Sequence, residues 1–162
     1  MPALTCVVAL QPSIVCPADI IFVLDESGSI GRTNFYWIKL FLIQLVSRFD
    51  INSGNTRVGL VTFSSRVGTT IHLGAHSSVT SLQSAILSLT YAYAEGGTNT
   101  AAALAYVRTT MLTSAAGCRS NVPNVVVVLT DGESDNTTAT KVSKFAIKLY
   151  IPCQEGTLRT NR

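Results

Sequence analysis

The chain has 162 residues, 47% of them hydrophobic and only 13% charged, with a formal net charge of +3. That length suits one domain, and the composition excludes a disordered chain and predicts a well-filled core. With no run of basic residues, nucleic acid is not an expected partner. No apolar stretch approaches the roughly 20 residues a membrane-spanning helix needs.

Residues 1–17 contain the apolar Ala3-Leu4 and Val7-Val8-Ala9-Leu10, but no basic residue, and Pro12 interrupts them. They read as a lead-in or a weak signal-like segment. Asp19 to Asp25 encloses the run Ile20-Ile21-Phe22-Val23-Leu24 and reads as a central parallel strand buried on both faces. A helix follows, with Thr33 or Asn34 as its cap and Phe35, Ile38, Leu42, Leu45 and Phe49 as its apolar stripe. Arg57 to Ser64 predicts a second strand. Thr69 to Leu73 predicts a short third one, an antiparallel partner at the sheet edge. Val79, Leu82, Ile86 and Leu89 mark a second amphipathic helix, and Ala101 to about Met111 a third. Val125-Val126-Val127-Val128-Leu129 is the other strongly apolar strand, ending in Thr130-Asp131-Gly132. The alternation predicts an α/β fold: an open, mostly parallel, Rossmann-like sheet with helices on both faces.

Directly after the first strand, Asp25-Glu26-Ser27-Gly28-Ser29 presents a carboxylate and two hydroxyls at alternate positions. Such hard oxygen donors suit Mg²⁺, and the carboxyl edge of a parallel sheet is where open α/β folds bind ligands. If the first and fourth strands are neighbours, Asp25 and Asp131 face each other at about one strand spacing, about 5 Å. Gly96-Gly97 allows a loop carrying Thr98 to come close.

On these residues the chain resembles the von Willebrand factor type A domain, in the extracellular matrix group that includes matrilins and collagen VI. The Asp-x-Ser-x-Ser pattern is present as Asp25, Ser27 and Ser29. The Gly-Gly-Thr-x-Thr loop supplies Thr98, and the apolar-Thr-Asp-Gly strand end supplies Asp131. The resemblance implies a metal-ion-dependent adhesion site at these five positions. It would hold Mg²⁺ (or Mn²⁺ or Ca²⁺) through hydroxyls, with at least one aspartate acting through water. It further implies a secreted, non-enzymatic adhesion module of the extracellular matrix. The expected ligand is a matrix protein such as collagen, or a receptor carboxylate. The alternative is a structural matrix-assembly module, collagen-binding or self-associating, that ignores the metal. A metal-dependent hydrolase is a third reading. Ser27 does not lie in a Gly-x-Ser-x-Gly elbow, and neither His72 nor His76 occupies a late loop.

The resemblance covers residues 18–140, and 141–162 read as a divergent tail, as if the last strands and helices of the domain were missing. The strand before Asp131 would then be a sheet edge with unpaired backbone groups, predicting self-association. Lys144 to Ile151 could supply one short strand or helix. Asn136-Thr137-Thr138 is a glycosylation acceptor, and four cysteines without Cys-x-x-Cys spacing lean toward an oxidising compartment. Cys16 and Cys118 both precede strands, so they form one disulfide candidate; the resemblance implies Cys153 as another partner for Cys16. Glu26 and Glu133 read as solvated, Thr100 as a helix-start residue, and the histidines as structural or exposed. Trp37 is expected to pack on its helix.

Overall fold

The strand β1 (Ala18–Asp25) runs through the middle of the molecule, and seven of its eight residues are buried. In the computed structural model, residues 17–92 and 97–132 are described, together with the backbone of 148–150. In chain order the elements are β1, α1 (Gly31–Val46), β2 (Thr56–Phe63), β3 (Val67–Ile71), α2 (Val79–Ser88), α3 (Thr100–Tyr106), β4 (Asn124–Leu129) and β5 (Lys148–Tyr150). The strand order is β3-β2-β1-β4-β5. β1 pairs in parallel with both β2 and β4, and β3 and β5 close the two sides antiparallel. This is the expected α/β sheet. Because β2 leaves β1 on one side and β4 on the other, a switch point lies at the carboxyl ends of β1 and β4.

Alternation along β1 divides the core. Phe22 and Leu24 point toward α1 and α2, where they cluster with Phe35, Leu42, Leu82 and Ile86. Ile21 and Val23 point toward α3 and cluster with Ala103, Val107, Met111 and Val126. Each helix face is thus filled by a period-2 strand meeting a period-3.6 helix.

Several expectations are corrected. α1 begins at Gly31, with Ile30 at the cap position and no side-chain cap, rather than after Thr33 or Asn34. Gly31 has φ +68, a left-handed conformation that glycine adopts at least cost, and it turns the chain from loop to helix. α1 ends at Val46, before Phe49. The third helix breaks after Tyr106 into a π-turn, Val107–Met111. β4 is not an edge, since Lys148–Tyr150 pairs with Val125–Val127. The pairing stops at Val127, so Val128 and Leu129 are held by β1 alone among the described residues. β4 is also buried on one face only, alternating buried and half-buried. Trp37 stands 61% exposed, with its ring meeting Tyr36 edge-on at 5.9 Å.

At the opposite end of the sheet, Arg119 locks the base of β1. Its backbone N–H donates to Asp19 Oδ2 at 2.7 Å and its Nε to Oδ1 at 2.8 Å. The other guanidinium nitrogens donate to the carbonyls of Gly54, Ala18 and Asn55. Asp19 is fully buried. Cys118, just before it, is buried, with Sγ 3.4 Å from Asn124 Oδ1. Cys6, Cys16 and Cys153, and with them both disulfide candidates, lie outside the described residues, as do Glu133 and Asn136.

Candidate functional site

Where β1 ends, the loop folds back on its own carboxylate. Asp25 is fully buried; its Oδ1 accepts from the Ser27 N–H at 2.8 Å. Its Oδ2 accepts from the Thr130 hydroxyl at 2.6 Å. That contact follows from register. Leu24 pairs with Leu129, so Asp25 lies opposite Thr130 and not opposite Asp131 as expected from strand adjacency alone. Asp131 reaches the site one residue later, accepting from the Ser29 hydroxyl at 3.0 Å. Ser27 Oγ lies 3.1 Å from Ser29 Oγ. Thr98 is buried, and its Oγ1 lies 4.0 Å from where a Cβ on Gly132 would stand. It makes no hydrogen bond to the other four among the described residues. Ser27, Ser29 and Asp131 are thus joined through their side-chain oxygens, Asp25 joins them through the Ser27 backbone N–H, and Thr98 lies near Gly132.

The clustered hydroxyl and carboxyl oxygens are a donor set that suits a hard cation. Asp25 is also a buried carboxyl group with no ion pair among the described residues, an arrangement that costs stability unless a cation offsets it. Among the described residues no three His, Cys, Asp or Glu side chains gather, so a cation here would rely on hydroxyls.

Four supporting residues escaped the reading of the sequence. Thr130 bridges Asp25 and the Gly132 N–H. It stands in the Thr-Asp-Gly motif and was legible there as a second oxygen. Tyr91 donates to the Ser27 carbonyl at 2.8 Å, from 64 residues away and with no local signal. Glu26 is buried, not solvated. Its Oε1 accepts from the Thr62 hydroxyl at 3.0 Å, and Thr62 Oγ1 in turn accepts from the Thr69 N–H. Burial raises the Glu26 carboxyl above its ordinary value, the Asp25 charge adds to this, and the hydrogen bonds from Thr62 and the Ala92 backbone oppose it.

Gly68 leaves room for this contact, because a methyl there would run into Glu26 Oε1 and Thr62 Oγ1. Gly68→Ala is expected to destabilise the fold by about 1–3 kcal/mol, seen as a lower urea midpoint with unchanged slope. A midpoint equal to wild type would contradict the packing. Thr100, at the start of α3, is buried, and Asn99 caps that helix by accepting from the Ala102 N–H. His72 is exposed, and His76 Nδ1 lies 2.6 Å from Ser81 Oγ, as a structural or surface role requires.

A profile of the von Willebrand factor type A domain matches residues 19–152. The collagen alpha-4(VI) chain of Mus musculus is 41% identical over 122 residues, covering 74% of this chain and 5% of that protein. Matrilin-4 of Homo sapiens is 38% identical over 121 residues, covering 73% and 19%. A solved structure of proximal thread matrix protein 1 from mussel byssus, with a zinc-occupied MIDAS motif, superposes with a TM-score of 0.67. It is 29% identical and covers 78% of this chain and 31% of that one. The chain spans less than a third of the length of each of these relatives.

Proposed function

The chain belongs to the von Willebrand factor type A domain family, and from that premise we propose that it is an extracellular matrix adhesion module. It binds a protein ligand through a divalent cation held by Asp25, Ser27, Ser29, Thr98 and Asp131. The observation that carries this is the buried Asp25 carboxyl group beside hydroxyl and carboxyl oxygens spaced 3.0–3.1 Å apart. The zinc-occupied motif of the mussel protein supports divalent binding at the equivalent site, and hydroxyl and carboxyl oxygens are hard donors that suit Mg²⁺. When bound, the cation supplies an electron-poor position for a carboxylate of the partner. The chain itself orients the oxygens: Asp25 anchors the loop through Ser27 and Thr130, and Tyr91 fixes the Ser27 carbonyl. Secretion to the matrix, and a collagen or receptor carboxylate as ligand, belong to this same reading.

Calorimetric titration of the full chain with Mg²⁺ is expected to show saturable binding that Asp131→Ala weakens by at least about tenfold, in line with the loss of an ordering or ligating group. Equal affinity in that variant would overturn the reading. A second reading, matrix assembly through a surface away from the cation, is favoured by Trp37 and Phe41, both more than half exposed on α1. Binding to immobilised collagen in Mg²⁺ and in EDTA separates the two. Loss in EDTA supports the metal bridge, and retention supports assembly.

A further inference from the structure

A cleft of about 360 Å³ opens between the first turns of α1 and the end of α2, lined among others by Arg32, Tyr36, Lys39, Leu87 and Tyr91. It adjoins the oxygen cluster directly: the Tyr91 hydroxyl on its wall donates to the Ser27 carbonyl, and Arg32 follows Ser29 by three residues. Among the described residues its charge has one sign. Lys39 is fixed by donating to the Leu87 and Leu89 carbonyls at 2.9 and 2.8 Å. Arg32 is exposed and makes no hydrogen bond or ion pair among the described residues, and among the described residues no Asp or Glu lines the cleft. Its sides are apolar and aromatic. Leu87 is 54% and Tyr36 48% exposed, and the Phe35 and Tyr91 rings pack at 5.5 Å.

We propose that this cleft is a second recognition subsite for an extended acidic segment of the partner protein. It receives one carboxylate at Arg32 and an apolar or aromatic side chain between Tyr36 and Leu87. The proposal rests on the metal-site reading, in which a first carboxylate of the same segment meets the cation. A bare cation with one open position would accept nearly any carboxylate. Selectivity must come from groups beside it, and complementary charge next to an apolar anchor is how peptide sites obtain it. The guanidinium of Arg32 suits a carboxylate because its donors match the two oxygens.

The test is a chemical-shift titration of the ¹⁵N-labelled full chain with the synthetic peptide acetyl-Gly-Glu-Gly-Phe-Glu-Gly-amide in Mg²⁺. Amides of Arg32, Tyr36, Leu87 and Thr90 are expected to move together with those of Ser27 to Ser29. Arg32→Ala is expected to weaken binding about tenfold, the scale of one charge-assisted contact, with Mg²⁺ affinity unchanged. Replacing the second Glu of the peptide by Gln has the same effect on wild type and none on Arg32→Ala. Leu87→Ala lowers affinity for the Phe peptide and not for its Ala analogue. Both variants alter exposed side chains, so the fold is retained.

Peptide binding that requires Mg²⁺ but ignores Arg32 and Leu87 overturns the subsite and leaves the metal reading standing. Binding that persists in EDTA and still depends on Arg32 keeps the subsite and removes the metal bridge. No saturable binding at millimolar peptide overturns the subsite.

Discussion

Asp25→Ala is expected to abolish the stabilisation that Mg²⁺ confers on this chain. A cation that binds only the folded state adds about 2.7 kcal/mol at about a hundredfold excess over its Kd, which a thermal melt with and without Mg²⁺ reads as a rise in Tm. In the variant the two melts coincide. Without metal the two proteins differ little, within about 1 kcal/mol, because two effects oppose. Removing Asp25 relieves a buried carboxyl group that no side-chain cation faces among the described residues, and it takes away the acceptor of the Ser27 N–H and the shortest contact of the Thr130 hydroxyl. Equal Mg²⁺-induced shifts in both proteins would show that Asp25 does not organise a cation site.

Arg119→Met should produce the larger loss in the absence of metal. It leaves the fully buried Asp19 without its cation and removes the guanidinium donors from the Gly54, Ala18 and Asn55 carbonyls. Breaking one partner of a buried pair costs about 3–5 kcal/mol, enough to remove much of the stability of an ordinary domain. Arg119→Lys is expected to recover little, because an ammonium cannot reproduce the fork that meets Asp19 and three carbonyls at once. The double replacement Asp19→Leu with Arg119→Met restores a good part of the loss by removing the orphaned charge. Urea unfolding of the set measures each term. A single variant within about 0.5 kcal/mol of wild type, the range of ordinary surface changes, would show that the pair is not essential.

Much of this protein was legible in its primary structure, and the reason differs by element. β1 and its loop were readable because strand, carboxylate and hydroxyls are contiguous, so a period-2 apolar run and the oxygens beyond it determine each other locally. The antiparallel β3 was readable from the short distance to β2. Glu26 was misread because its burial is made by Thr62 and by the close passage of Gly68, about 40 residues downstream. Nothing beside Glu26 in the chain signals that. The facing of Asp25 was misread for a related reason: strand adjacency alone leaves the register open by one residue, and one residue decides whether Thr130 or Asp131 meets the carboxylate.

By itself the sequence determined the family and the α/β alternation, and it offered five candidate oxygens with the expectation that they gather at one sheet edge. These follow from local chemistry: apolar periodicity, turn residues and donor type. Only the tertiary structure decided that Thr130 and Tyr91 brace the site, that β5 covers part of β4, that Arg119 holds the base of β1, and that a cationic, aromatic cleft opens beside Ser29. Each of these depends on register and packing between segments distant in the chain. Long-range contacts of that kind are set by the whole core settling at once, not by any stretch of residues read alone.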